Sequence, residues 1–175
     1  GALAKAIPEK MAAASHGSMN NVAMGARLGA AQGVSKNWDY YETIGGGAGA
    51  SSVGNGQSAR QTHMTNTLNT PVEVLEHHYP LRVSEYAVRE NSGGNGVHHG
   101  GNGIVREFEF LEPASVSLLT ERREHAPWGA HGAEGGQVGA NFLNGKALPA
   151  KVNLKTKLGD VLRIETPGGG GHGSC

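Results

Sequence analysis

A chain of 175 residues is long enough for one domain with a real core, or a domain plus an arm, and short for two. Its 15 basic and 15 acidic residues cancel to a formal net charge of zero with no basic run, which excludes the electrostatic footprint of a nucleic-acid binder. Cys175 is the single cysteine, which excludes an internal disulfide framework, and no apolar run reaches spanning length, so composition points to a soluble, cytoplasmic protein away from membranes.

Glycine is the outlier, at 29 of 175 residues against a usual share of about 7%. The glycines gather in short clusters between segments of clear apolar periodicity, so ordered turns and close backbone approach are expected rather than disorder. Such a chain has a thin core for its length, and part of its surface is expected to be buried against more protein, in an oligomer.

In chain order, residues 3–11 read as a short helix carrying Pro8, followed by the polar loop Ser15-His16-Gly17-Ser18-Met19-Asn20-Asn21. Residues 40–44 form a brief strand that opens onto Gly45-Gly46-Gly47-Ala48-Gly49-Ala50. Gly45, Gly47 and Ala50 match a dinucleotide-binding fingerprint loosely, but residues 51–57 are another loop where that motif needs a helix. A glycine-walled site or a wide turn is the better reading.

Residues 62–76, THMTNTLNTPVEVLE, set small hydroxyl and amide side chains against a helix start. Thr70 is expected to cap the helix, Pro71 to fit its first turn, Glu73 to complete a capping box, and Pro80 to end it near Tyr79. Ahead of it, His63 with Asn66, Asn69 and Thr70 offers a general base beside groups able to hold an oxyanion; the competing reading is a loop whose side chains bond their own backbone. Glu73, Glu76 and His77 share one helix face, where first-turn carboxylates complement the dipole. The pairs His77-His78 and His98-His99 point apart, so neither chelates a metal by itself, and no metal site is expected in this chain.

The second half reads as strands. Across residues 104–111, Ile104, Phe108 and Phe110 share one face and Glu107 and Glu109 the other, while Arg106 falls on the apolar side and needs a partner. Residues 114–120 make a second strand, and residues 151–157 and 161–166 a third and fourth, expected to pair as a hairpin around Leu158-Gly159-Asp160. Between them, residues 121–125 read as a solvated charged turn, or as an arginine pair beside a buried Trp128 that could grip an anion. The expected fold class is α+β: a loop- and helix-containing N-terminal half, then a β-rich, mainly antiparallel C-terminal half, together a single domain or domain fragment.

These blocks resemble the C-terminal third of the hydantoinase B/5-oxoprolinase family. The likeness runs through Ala13-Ala14-Ser15-His16-Gly17, Tyr40-Tyr41-Glu42-Thr43-Ile44-Gly45-Gly46-Gly47, Thr62-His63-Met64-Thr65-Asn66-Thr67, Ser92-Gly93-Gly94, Pro127-Trp128-Gly129 and Thr166-Pro167-Gly168-Gly169-Gly170-Gly171. It implies a component of an ATP-dependent hydrolase opening a cyclic amide, such as 5-oxoproline or a hydantoin. A related ketone (acetone or acetophenone) carboxylase subunit and a non-catalytic assembly module are the alternatives. The family's partner A-type subunit or domain binds ATP, and the N-terminal B part, absent from this chain, carries the ligands of a divalent metal. The chain is then expected to be a fragment or a separately encoded piece, incompetent as a catalyst alone. With the polar cluster, the resemblance nominates His63, Glu42 and Asn66 as catalytic, and Tyr41, Gly46, Gly47, Thr65, Asn69 and Thr70 as substrate-binding.

Overall fold

The computed structural model describes residue 3, residues 6–29 and residues 31–174. Alternation of apolar and small or polar residues dominates it. In β1 (Asn20–Ala26) the side chains of Asn20, Val22, Met24 and Ala26 are buried and those between are half-buried. In β2 (Trp38–Thr43) Trp38, Tyr40 and Glu42 turn inward, Thr43 is also buried, and Asp39 and Tyr41 turn outward. The remaining strands are β3 (Leu81–Arg89), β4 (Gly103–Phe110), β5 (Ala114–Thr120), β6 (Ala140–Leu143), β7 (Lys146–Leu148), β8 (Lys151–Thr156) and β9 (Val161–Glu165).

They assemble into two antiparallel sheets, ordered β2-β1-β5-β8 and β3-β4-β9-β6-β7. One apolar cluster joins them: Val22, Met24, Tyr40, Val116 and Leu118 from the first, Leu81, Ile104, Phe108, Phe110, Leu162 and Ile164 from the second. Each such side chain, fully buried, contributes about 1.5–3 kcal/mol of transfer free energy, so this interior is the main stabilising element.

The α+β expectation holds only in part. The N-terminal half is not mainly helical: among the described residues it holds β1, β2, most of β3, a 3-10 turn at Pro8–Lys10 and one short helix at Val72–His78, and the helix expected over residues 3–11 falls partly on residues 4 and 5, outside the described ones. Asn20 and Asn21 open a strand instead of closing a loop, because Val22 and Met24 need the core. The helix α1 (Val72–His78) buries only Leu75. Its N-cap is Pro71, with no side-chain cap bond, so the Thr70–Glu73 capping box does not form. The Thr70 side chain lies beside the Tyr40 phenol instead. The hairpin expected between β8 and β9 is also absent. β8 pairs with β5, and β9 with β4 and β6, so Val152 and Leu154 pack on the shared core from the opposite sheet to Leu162 and Ile164.

The glycine clusters build a third structural element. Backbone donors along residues 168–173 change partner with a period of three. Gly168 and Gly171 donate to Gln137 and Glu134, Gly169 and His172 to Gly101 and His98, and Gly170 and Gly173 to Ala14 and Ala130. Three residues per turn is the period of a polyproline II chain, which makes no internal bonds and so offers its backbone to neighbours on three sides. Side chains would fill the gaps between such chains: a Cβ on Gly169 would meet the Ala48 carbonyl oxygen at 1.9 Å, and one on Gly168 the Ser92 oxygen at 1.8 Å.

Candidate active site

Two buried polar networks flank the segment that carries the predicted site residues. The first crosses the sandwich. Glu42 faces inward from β2 and Arg106 from β4, and Arg106 Nη1 donates to Glu42 Oε1 at 3.0 Å with both side chains buried. The Tyr40 hydroxyl and the Asn69 amide also donate to the Glu42 carboxylate. Arg106 Nη2 donates to the Thr70 carbonyl at 3.4 Å, and its guanidinium lies 4.4 Å from the Tyr86 ring centre and 5.3 Å from that of Phe108. Burial, the Glu42 contact and the charge around it push the Tyr40 phenol far above its ordinary range, so it stays a neutral donor.

The second network centres on His16, fully buried just before β1. Its Nδ1 pairs with Asn20 Nδ2 at 3.1 Å and its Nε2 with the Thr62 hydroxyl at 2.9 Å. Arg123 donates to Asn20 Oδ1 at 2.6 Å and to Asn141 Oδ1 at 2.9 Å, and Asn141 donates to Thr120 Oγ1 at 2.9 Å. Burial first, and the nearby His63 second, lower the His16 pKa from 6.5 to about 4, so the ring is neutral at pH 7. Burial and the neighbouring Arg89 lower Arg123 to about 9, which still leaves it charged at pH 7.

Beside this network lies a cavity of about 500 Å³. His63, Gly17, Ser18, Arg122, Arg123 and Lys151 contribute to its wall, together with Glu121, Glu124 and His125. Its volume suits a small cyclic substrate with water. His63 is exposed and held at a positive φ of 58°, a conformation that costs a non-glycine residue about 1 kcal/mol and marks a constrained position.

The nominated residues fall into separate groups. His63 reaches the cavity. Thr65 folds back, its hydroxyl donating to the Thr62 carbonyl at 2.9 Å, and Asn66 is exposed between them and Asn69. Glu42, Asn69 and Thr70 belong to the ion-pair network. Tyr41 faces outward from the first sheet into a different depression of about 600 Å³ that Asp39, Arg27 and Lys155 also line. Gly46 and Gly47 are buried: a Cβ on Gly46 would lie 2.5 Å from the His16 Cβ, and one on Gly47 2.0 Å from the Gly101 oxygen. Every amide from Gly46 to Ala50 is already spent, on Arg60, Pro167, Gln57, Ser15 and Gly170 in turn, so this glycine run does not fit a nucleotide phosphate. Trp128, expected to be buried beside the arginines, is 39% exposed.

His16, Asn20 and Asn141 were the residues sequence reasoning missed. The Ser15-His16-Gly17 run and the arginine pair were visible as motifs, but nothing local signals that Arg123 closes on Asn20, 103 positions away. Among the described residues no three His, Cys, Asp or Glu side chains converge as a metal site. None of the helices described is long and apolar enough to cross a membrane.

Known proteins share this architecture. The chain is 47% identical over 167 residues to 5-oxoprolinase 1 of Arabidopsis thaliana, a match covering 93% of this chain and 12% of that protein. The ATP-dependent caprolactamase of Pseudomonas jessenii superposes with a TM-score of 0.74 at 25% identity, over 99% of this chain and 32% of its own. A nucleotide-free acetone carboxylase superposes with a TM-score of 0.61 at 16% identity, over 98% of this chain and 28% of its own, a likeness of fold alone. The chain therefore spans about an eighth of the length of that plant relative and about a third of these solved chains. The family model described as hydantoinase B/oxoprolinase matches residues 1–175, and the chain belongs to that family.

Proposed function

We propose that this chain forms part of an ATP-dependent cyclic-amide hydrolase of the 5-oxoprolinase or hydantoinase type, and that the cavity beside His63 receives the ring. The observation that carries this reading is the placement of His63, in a constrained backbone conformation, on the wall of a cavity that also presents Arg122, Arg123 and Lys151. An unstrained lactam is a poor electrophile. ATP, bound by an A-type partner subunit or domain, would supply the phosphoryl group that makes the ring carbon electrophilic; water would add to that carbon, the ring C–N bond would break with the nitrogen leaving as the amine, and the acyl phosphate so formed would be hydrolysed to a carboxylate and inorganic phosphate. The cations suit the anionic character of such a substrate. His63 acts as the general base toward water, and Asn66, exposed three residues on, provides a donor for the developing oxyanion. Glu42, with its carboxylate engaged by Arg106, Tyr40 and Asn69, frames the site rather than moving protons.

The test is reconstitution of the complete protein with its ATP-binding partner, followed by ATP-dependent ring opening of 5-oxoproline and of a hydantoin. His63→Gln is expected to lower kcat on the order of 100-fold or more at unchanged thermal stability. Unchanged turnover removes His63 from the chemistry.

A further inference from the structure

The segment between the two buried networks is tied at both ends and free in the middle. At its start, Thr62 is hydrogen-bonded to His16 and Gln61 Nε2 donates to the Thr43 carbonyl at 2.8 Å. At its end, Asn69 donates to Glu42, and the Thr70 carbonyl accepts from Arg106. Between these anchors, His63, Met64, Asn66, Thr67 and Leu68 are exposed, with Met64 76% and Leu68 98% accessible. Two apolar side chains left in water on a segment that carries a cavity-lining histidine have no stabilising role where they stand.

We infer that Glu42 and Arg106 are positioning residues: their buried pair fixes Asn69 and Thr70, and so holds the far end of a strap, residues 63–68, that presents His63 to the cavity. The inference rests on the proposed role of that cavity. Anchoring by a charge pair is stiffer than anchoring by neutral loop contacts, because carboxylate and guanidinium are desolvated together and a shift of either leaves charge unsatisfied. With both anchors fixed, the strained φ of His63 is over-determined by its surroundings, as such a conformation requires. The near anchor is neutral, through the uncharged His16 ring, and the far anchor is ionic, so the two ends respond differently to substitution.

Asn69→Ala cuts the far anchor while leaving the Glu42–Arg106 pair in place. In the complete protein, mass spectrometry would follow chymotryptic cleavage after Met64 and Leu68 in the folded state, alongside kcat and KM for ring opening. The expected result is cleavage about ten-fold faster or more, with kcat reduced about ten-fold or more and KM within about three-fold, since misplacement of a reacting group falls on turnover rather than on uniform binding. Asn69→Asp, which keeps the shape but opposes Glu42 with a second carboxylate, gives the same pattern and serves if the alanine variant folds poorly. Unchanged cleavage overturns the anchoring. Faster cleavage with unchanged kcat overturns the positioning role. Activity that survives His63→Gln defeats the proposed chemistry instead, and the cleavage rates still decide the anchoring on their own.

Discussion

Arg106 and Glu42 meet at 3.0 Å across the interior of the sandwich, one from each sheet, and neither side chain reaches solvent. Register explains the meeting: Glu42 lies opposite the core residue Val22 on β1, and Arg106 opposite the core residue Ile164 on β9, so each charge occupies a core-facing position of its own sheet. Removing one partner leaves the other buried and unpaired. Glu42→Leu or Arg106→Met alone should therefore lower stability by about 3–5 kcal/mol in urea unfolding. The double variant should recover most of that loss, and a double-mutant cycle measures the coupling.

The Arg27–Asp39 pair offers the contrast. At 2.9 Å its geometry is as good, but its side chains are 59% and 72% exposed. Water and salt screen it, so Asp39→Ala should change stability by less than about 1 kcal/mol in the same assay.

Glycine substitutions should divide sharply by location. A Cβ on Gly169 would sit 1.9 Å from a backbone oxygen that cannot swing away, whereas one on Gly54 would meet nothing within 4 Å. Gly169→Ala is expected to cost about 3 kcal/mol or more. Gly54→Ala should stay within about 0.5 kcal/mol of the parent, read by thermal or urea unfolding.

His16 gives a pH dependence with a definite sign. Its folded pKa is about 4 and its ordinary value 6.5, so the unfolded chain binds the extra proton first as pH falls. Stability attributable to this site is complete above pH 6.5, declines as pH drops toward 4, and amounts to about 3 kcal/mol across that window. His16→Gln should flatten the urea-midpoint profile between those pH values. An unaltered slope would show that the ring titrates normally in the fold.

Much of the second half of the fold was legible because its strands alternate cleanly: the strand expected over residues 114–120 is β5 as observed, and β4 begins and ends within one residue of expectation. β1 stayed hidden because its outward positions are Ala23 and Gly25, small residues that blur a two-residue period. β3 stayed hidden because it leaves Tyr86 and Val88 exposed on the same chain that buries Leu81. Periodicity gives the face a residue occupies and not the strand it pairs with, which is why β8 and β9, joined by a turn at Gly159, were assigned to one hairpin instead of opposite sheets. The same limit governs the site. Arg106 announced a need for a partner from its position among Ile104, Phe108 and Phe110, but Glu42 is 64 residues distant and only the packing of the two sheets brings it there.

The threefold partner exchange along residues 168–173 makes this stretch sensitive to phase. Adding or deleting one residue would turn every later amide toward the wrong neighbour, moving the donor meant for Gly101 onto the Ala14 side or the Gln137 side. A change of three residues would keep the directions and alter only the reach. Tolerance of indels here should therefore follow multiples of three, as a reading frame does.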